Sequence, residues 1–206
     1  MILYWFLWGT LRLFFVLGLR VRVEGLEHVP RRGAFVLCSN HTSWVDPVLL
    51  GTLLPRQVFY MAKEEIFASP PAALVLRTLG AFPVRRHHAD RGALRTALAL
   101  LGGGRAVAVF PEGTRSRDGN LGRAQPGVAL LAVVSGAEVL PVAICGEYRP
   151  GRLVVRFGPT FRLSDPGRVR WTSRELRTLA EERIMGAVRA LLRGRGGNRR
   201  VVPGPA

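Results

Sequence analysis

The feature that most narrows the fold is the run Ala34 to Ser39, apolar through Cys38, unbroken by polar residues, and ending abruptly at Asn40-His41. A strand with one wet face alternates apolar and polar residues, whereas a strand buried on both faces does not. The run follows a turn at Pro30-Arg31-Arg32-Gly33 and so reads as an interior strand of a covered sheet. Ala106 to Phe110 and Val139 to Ile144 repeat the pattern, and shorter strand signals occur at Val21 to Gly25, Val58 to Met61, Phe82 to Val84 and Leu153 to Phe157. Helical patterns separate them at Val45 to Leu54, Ile66 to Leu79, Arg91 to Leu101 after an Asp90 cap, Pro126 to Ser135, and from a Ser173 cap to Leu192. This alternation predicts an α/β domain whose central sheet, mainly parallel or mixed, is covered by helices on both faces. Chemistry in such sheets gathers at strand ends, which directs attention to the segments after Ser39, Val84 and Phe110.

Met1 to Leu19 is almost wholly apolar, with Tyr4, Trp5, Phe6 and Trp8 near its start and Arg12 within it. Positive charge follows this stretch at Arg20 and Arg22 instead of preceding it, which is the reverse of a cleaved signal peptide. The segment reads as a membrane-associating helix over residues 1–20, lying in one leaflet, spanning the bilayer, or buried as a core helix. The expected location is the cytoplasmic face of the cell membrane: if the segment dips in from that side, Arg20, Arg22, Arg31 and Arg32 after it agree with positive charge staying there. An α/β domain is expected over 21–192 and a disordered Arg/Gly/Pro tail over 193–206. With 48% apolar and 21% charged residues, disorder cannot account for the whole chain. The net charge of +16 suits polyanions: an anionic membrane surface, phosphorylated substrates or nucleic acid. Of the 30 Lys and Arg residues a single one, Lys63, is lysine, so part of this charge can reflect base composition. Cys38 and Cys145 sit in strand-like runs and support neither a disulfide framework nor a zinc site.

Three polar constellations leave predicted strands. In Asn40-His41-Thr42-Ser43-Trp44-Val45-Asp46, the His and Asp can meet across a turn into a helix. A carboxylate that accepts from one imidazole nitrogen fixes the tautomer and frees the other nitrogen as a base, with the hydroxyl it activates coming from substrate. Phe110-Pro111-Glu112-Gly113-Thr114-Arg115-Ser116 offers a glycine, two hydroxyls, an arginine and a carboxylate, suited to an oxyanion or a phosphate. Gly80-Ala81-Phe82-Pro83-Val84-Arg85-Arg86 sends two arginines out of a strand.

In that order and spacing these segments closely resemble the glycerolipid acyltransferase family, in particular its bacterial 1-acylglycerol-3-phosphate acyltransferases. The Asn-His-x-x-x-x-Asp block looks like Asn40 to Asp46, and the Phe-Pro-Glu-Gly-Thr-Arg-Ser block is matched residue for residue at Phe110 to Ser116. A second block resembles Gly80 to Arg86 and a fourth, apolar and carrying a proline, resembles Val139 to Ile144, so the likeness spans Val21 to Phe157. The resemblance implies that His41 is the general base and Asp46 orients it, with direct attack of the acceptor hydroxyl on a thioester and no acyl-enzyme, so that Cys38 need not be a nucleophile. It implies acceptor phosphate binding by Arg86 with Arg115, and substrate-site roles for Asn40, Glu112, Gly113 and Thr114. The expected reaction moves a fatty acyl group from acyl-CoA or acyl-carrier protein to the sn-2 hydroxyl of 1-acylglycerol-3-phosphate, giving phosphatidic acid, with no cofactor or metal. The expected partners are thus a membrane lipid acceptor and the acyl donor, and no nucleic acid. One departure stands out: Gln125 precedes Pro126-Gly127 where similar proteins carry lysine two residues before the helix-opening glycine. Another lysophospholipid or a glycolipid acceptor is the alternative this raises. The basic charge alone leaves a nucleic-acid module or a catalytically silent membrane scaffold as competitors of other classes.

Overall fold

The structure is a computed structural model and describes residues 2–85, 90–116, 120–163 and 170–194. Seven strands form one sheet: β1 (Arg22–Glu24), β2 (Phe35–Ser39), β3 (Val58–Lys63), β4 (Ala81–Val84), β5 (Ala106–Val109), β6 (Glu138–Gly146) and β7 (Leu153–Phe157). Their order is β1-β7-β6-β2-β5-β3-β4. Every pairing is parallel except β6 with β7, so β7 and β1 run opposite to the other five. The carboxyl ends of β6, β2, β5, β3 and β4 therefore share one edge, and the three predicted constellations follow β2, β5 and β4 to it.

The Ala34 to Ser39 run behaves as its composition demands. β2 is central, and all of its residues are buried. Phe35 and Leu37 point into one apolar layer, Val36 and Cys38 into the other. Three helices cover the first layer: α1 (Ile2–Leu13), continued by a π-helical turn over Phe14–Gly18, α2 (Asp46–Leu53) and α3 (Pro70–Thr78). The second is covered by α4 (Arg91–Gly102), α5 (Pro126–Ser135) and α6 (Ser173–Leu179), which a π-helical segment, Ala180–Met185, joins to α7 (Gly186–Leu192), packed on β6.

Most boundaries follow the sequence signals, and the differences have local causes. Asp90 caps α4 as expected, accepting from the Ala93 N–H. The cap of the last helix is Thr172 instead of Ser173. Thr172 bonds the Glu175 N–H while Glu175 bonds the Thr172 N–H, a reciprocal pair that needs an acid three residues on, where Ser173 has Leu176. The helical pattern from Ile66 divides at Ser69-Pro70-Pro71 into a 3-10 turn, Glu64–Ala68, and α3, because proline is tolerated at a helix start and not within one. Among the described residues no helix is long and apolar enough to cross a membrane. The tail beyond Gly194 and the Arg86 side chain lie outside the described residues.

Candidate active site

β2 delivers His41 to the carboxyl edge of the sheet, and the chain turns at once into α2, whose first residue is Asp46. The turn is built around that carboxylate. Asp46 Oδ2 accepts from the Thr42 N–H at 2.6 Å, the Ser43 N–H at 2.8 Å and His41 Nδ1 at 2.8 Å. Oδ1 accepts from the hydroxyl of Tyr148, which follows β6. Asp46 is fully buried, and a buried carboxylate is tolerable only with this kind of saturation by donors. With Nδ1 committed to Asp46, Nε2 is the imidazole nitrogen left for a substrate. The ring lies nearly flat against Phe110, centroids 4.0 Å apart and planes inclined by 20°, so its orientation is fixed by a hydrogen bond at the edge and a stack on the face.

The Phe110 to Ser116 loop leaves the neighbouring strand β5 and is stitched to the His41 segment at two points. Glu112 Oε1 accepts from the His41 backbone N–H at 3.1 Å, and Ser116 N–H donates to the His41 carbonyl at 2.8 Å. The second oxygen of Glu112 accepts from the Gly122 N–H at 2.9 Å. A Cβ on residue 122 would lie 2.9 Å from that oxygen, so glycine is needed there for close approach. Gly113 closes the tight turn in the left-handed region, φ 69°, donating its N–H to the Phe110 carbonyl.

The other expected residues are placed as follows. Asn40 is buried, and its amide pairs at both ends with the Ile144 backbone, donating to the carbonyl at 2.9 Å and accepting the N–H at 2.8 Å. Gly113, Thr114 and Arg115 are exposed on the loop. Arg85 is exposed, and its Nε donates to Glu64 at 2.9 Å. Gln125 is exposed, and its N–H is bonded to the Pro111 carbonyl at 2.8 Å, which joins the start of α5 to the loop. Cys38 is fully buried, and burial pushes its thiol well above the usual range, so it is not a reactive thiolate.

Two members of the site are absent from the sequence reading. Tyr148 lies beyond the run Val139 to Ile144, on a strand end that shares the site edge; following β6 to its carboxyl end was the signal available. Gly122 lies in the loop before Pro126, and nothing in its neighbours marks it as a partner of Glu112.

The fold is thus an α/β sheet, mostly parallel, with a buried His–Asp pair at the carboxyl edge of its central strands. The Acyltransferase family model matches residues 20–145. The 1-acyl-sn-glycerol-3-phosphate acyltransferase of Bacillus subtilis is 33% identical over 160 residues, covering 73% of this chain and 79% of that protein. A lyso-ornithine lipid O-acyltransferase of Pseudomonas aeruginosa is 34% identical over 138 residues, covering 66% of this chain and 52% of that protein. The crystal structure of the 1-acyl-sn-glycerophosphate acyltransferase PlsC from Thermotoga maritima superposes with a TM-score of 0.69 at 29% identity, covering 93% of this chain and 81% of that one. The chain belongs to the Acyltransferase family and is an O-acyltransferase.

Proposed function

We propose that this enzyme transfers a fatty acyl group from acyl-CoA or acyl-carrier protein to the free sn-2 hydroxyl of a 1-acylglycerol-3-phosphate, forming phosphatidic acid at the cytoplasmic face of the cell membrane. The observation that carries this reading is the 2.8 Å contact between His41 Nδ1 and buried Asp46, stitched to the Phe110 to Ser116 loop. His41 Nε2 takes the proton of the acceptor hydroxyl as its oxygen attacks the thioester carbonyl. The tetrahedral intermediate expels the thiolate, which recovers the proton from the imidazolium, so no acyl-enzyme forms. Backbone N–H groups near Gly113 are suited to the oxyanion. Arg86 and Arg115 take the acceptor phosphate, since guanidinium binds phosphate bidentately. Gly113 and Thr114 shape the acceptor site. Asn40 and Glu112 serve through position, because their polar atoms are already engaged by Ile144, His41 and Gly122.

The chain divides on this reading into an anchor at 1–20, a catalytic domain at 21–192 and a basic tail at 193–206. The anchor lies in one leaflet: α1 exposes Ile2, Leu3, Trp5 and Phe6, and Leu13, Phe14 and Leu17 continue the apolar surface. Gln125, together with the Pseudomonas relative, favours a second reading in which the acceptor is a lysolipid without a phosphomonoester.

Thiol release from both donors, measured in liposomes with 1-acylglycerol-3-phosphate or lyso-ornithine lipid as acceptor, tests the proposal. His41→Ala should slow release by roughly 10²–10⁴-fold, the usual contribution of a general base. A wild-type rate in that variant would remove His41 from the mechanism, and turnover with the ornithine lipid alone would select the second acceptor.

A further inference from the structure

Asp46 is held by more than the residues of its own turn. Three donors converge on Oδ2, all from the segment His41 to Ser43, and each is positioned by local chain geometry. Oδ1 is served from another element: Tyr148 reaches it across the sheet edge from the hairpin between β6 and β7. The Tyr148 ring is half-buried and packs on the apolar layer that holds α2, so the hydroxyl does not swing freely. The hairpin is fixed as well. Gly146 turns with φ 90°, Glu147 N–H donates to the Arg152 carbonyl at 3.3 Å, and Gly151 N–H donates to the Leu19 carbonyl at 2.9 Å.

A carboxylate pinned by its two oxygens in different directions cannot rotate about its Cβ–Cγ bond. With Oδ2 alone restrained, the plane could tip and carry the His41 contact with it. The Tyr148 bond also shares the anionic charge, reducing the pull of Asp46 on a proton at His41. Burial first, and then the Asp46 charge and hydrogen bond, push the Tyr148 phenol far above its usual range, so it stays protonated and donating at any working pH. Among the described residues, the neighbouring charged groups are Glu112, whose carboxylate is occupied by the His41 and Gly122 N–H groups, and the exposed Glu147–Arg149 pair, 3.4 Å apart, on either side of Tyr148 in the chain.

We infer that Tyr148 is a positioning residue for catalysis, acting through Asp46 to set both the orientation and the basicity of His41. The inference rests on the proposed role of His41 as the base. The sign of the effect follows from charge. Removing the Oδ1 donor leaves Asp46 less satisfied, which favours imidazolium at His41 and raises the pH at which the base becomes neutral. The acid limb of kcat/KM then moves to higher pH. A stronger donor moves it the other way.

The test compares wild type, His41→Ala, Tyr148→Phe and a protein with 3-fluorotyrosine in place of Tyr148, whose hydroxyl is more acidic and donates more strongly. For Tyr148→Phe, kcat should fall roughly tenfold with the acceptor KM within about twofold, as expected for losing one bond to a charged group. Its acid limb should move to higher pH, and the fluorotyrosine limb to lower pH. An unmoved acid limb in both proteins, with His41→Ala inactive, overturns the role of Tyr148 and leaves the base in place. Activity in His41→Ala overturns the underlying mechanism instead. Should Tyr148→Phe fail to fold, the fluorotyrosine protein decides alone: a limb at lower pH supports the assignment, and an unmoved one defeats it.

Discussion

At the scale of single residues, the site is an arrangement of buried carboxylates whose oxygens are almost entirely spoken for by N–H and O–H donors. Asp46 and Glu112 both stand at carboxyl ends of parallel strands, both are buried, and neither forms an ion pair with arginine among the described residues. Glu112 differs in its partners, which are backbone N–H groups from two separate segments, at His41 and Gly122. It acts as a clamp between them. Glu112→Gln keeps the shape but turns an NH2 toward one of those N–H groups, leaving two donors facing each other. A bond to a charged acceptor is worth about 1.5–3 kcal/mol, so a loss of about 2 kcal/mol is expected, together with slower turnover as the His41 backbone loosens. Thermal unfolding in detergent checks the first, and a midpoint within a degree of wild type would show that the clamp does not bear on stability.

At the scale of elements, α2 links the site to the apolar helix. Asp46 is its first residue, and its last carbonyls, Thr52 and Leu53, accept from Arg12 Nη1 at 3.0 and 3.3 Å. The cation that interrupts the apolar N-terminal stretch is thus the cap of a helix carboxyl end, where unsatisfied carbonyls and the helix dipole favour positive charge. Its guanidinium also lies 5.0 Å from the Trp8 ring. Arg12→Met should cost about 1–2 kcal/mol, and at about 2–4 °C per kcal/mol the unfolding midpoint should drop by several degrees. Liposome binding should not weaken, because the substitution adds apolar surface. An unchanged midpoint would count against the cap. This contact also shows where sequence reading stops. The strands β2 and β5, the capped α4 and the His41–Asp46 pairing were legible because composition, spacing and a local turn determine them. Arg12 on α2, Tyr148 on Asp46 and Glu112 on Gly122 join residues far apart in the chain, and no periodicity specifies which distant carbonyl, carboxylate or N–H meets which side chain. The reversal of β7 and β1 was hidden for the same reason, since short apolar runs look alike in either direction.

At the scale of the whole molecule, the exposed large apolar residues are unevenly placed. On α1 and its continuation they are Ile2, Leu3, Trp5, Phe6, Leu13, Phe14 and Leu17; Ile66, Leu74 and Val75 belong to α3 and the turn before it; and Trp44 sits in the loop between β2 and α2. All lie on the layer of helices that includes α2 or at the carboxyl edge of the sheet, whereas the helices of the opposite layer contribute Val134. A water-exposed surface gains nothing from that asymmetry, but a lipid leaflet approached from one side does. The net charge of +16 adds attraction to anionic headgroups, a contribution that salt screens. Each fully inserted large apolar side chain contributes about 1.5–3 kcal/mol, so replacing two at once should reduce partitioning into vesicles by more than tenfold. Trp5→Ser with Phe6→Ser should show this fully, and Leu74→Ser with Val75→Ser should show a smaller loss, because α3 would touch the leaflet only at its outer face. Val134→Ser, on the far layer, should change nothing. Co-sedimentation with vesicles of mixed neutral and anionic lipid, at low and high salt, separates the contributions. Apolar insertion survives high salt and fails in the α1 variant, whereas binding lost to salt in every protein alike would assign the docking to charge alone.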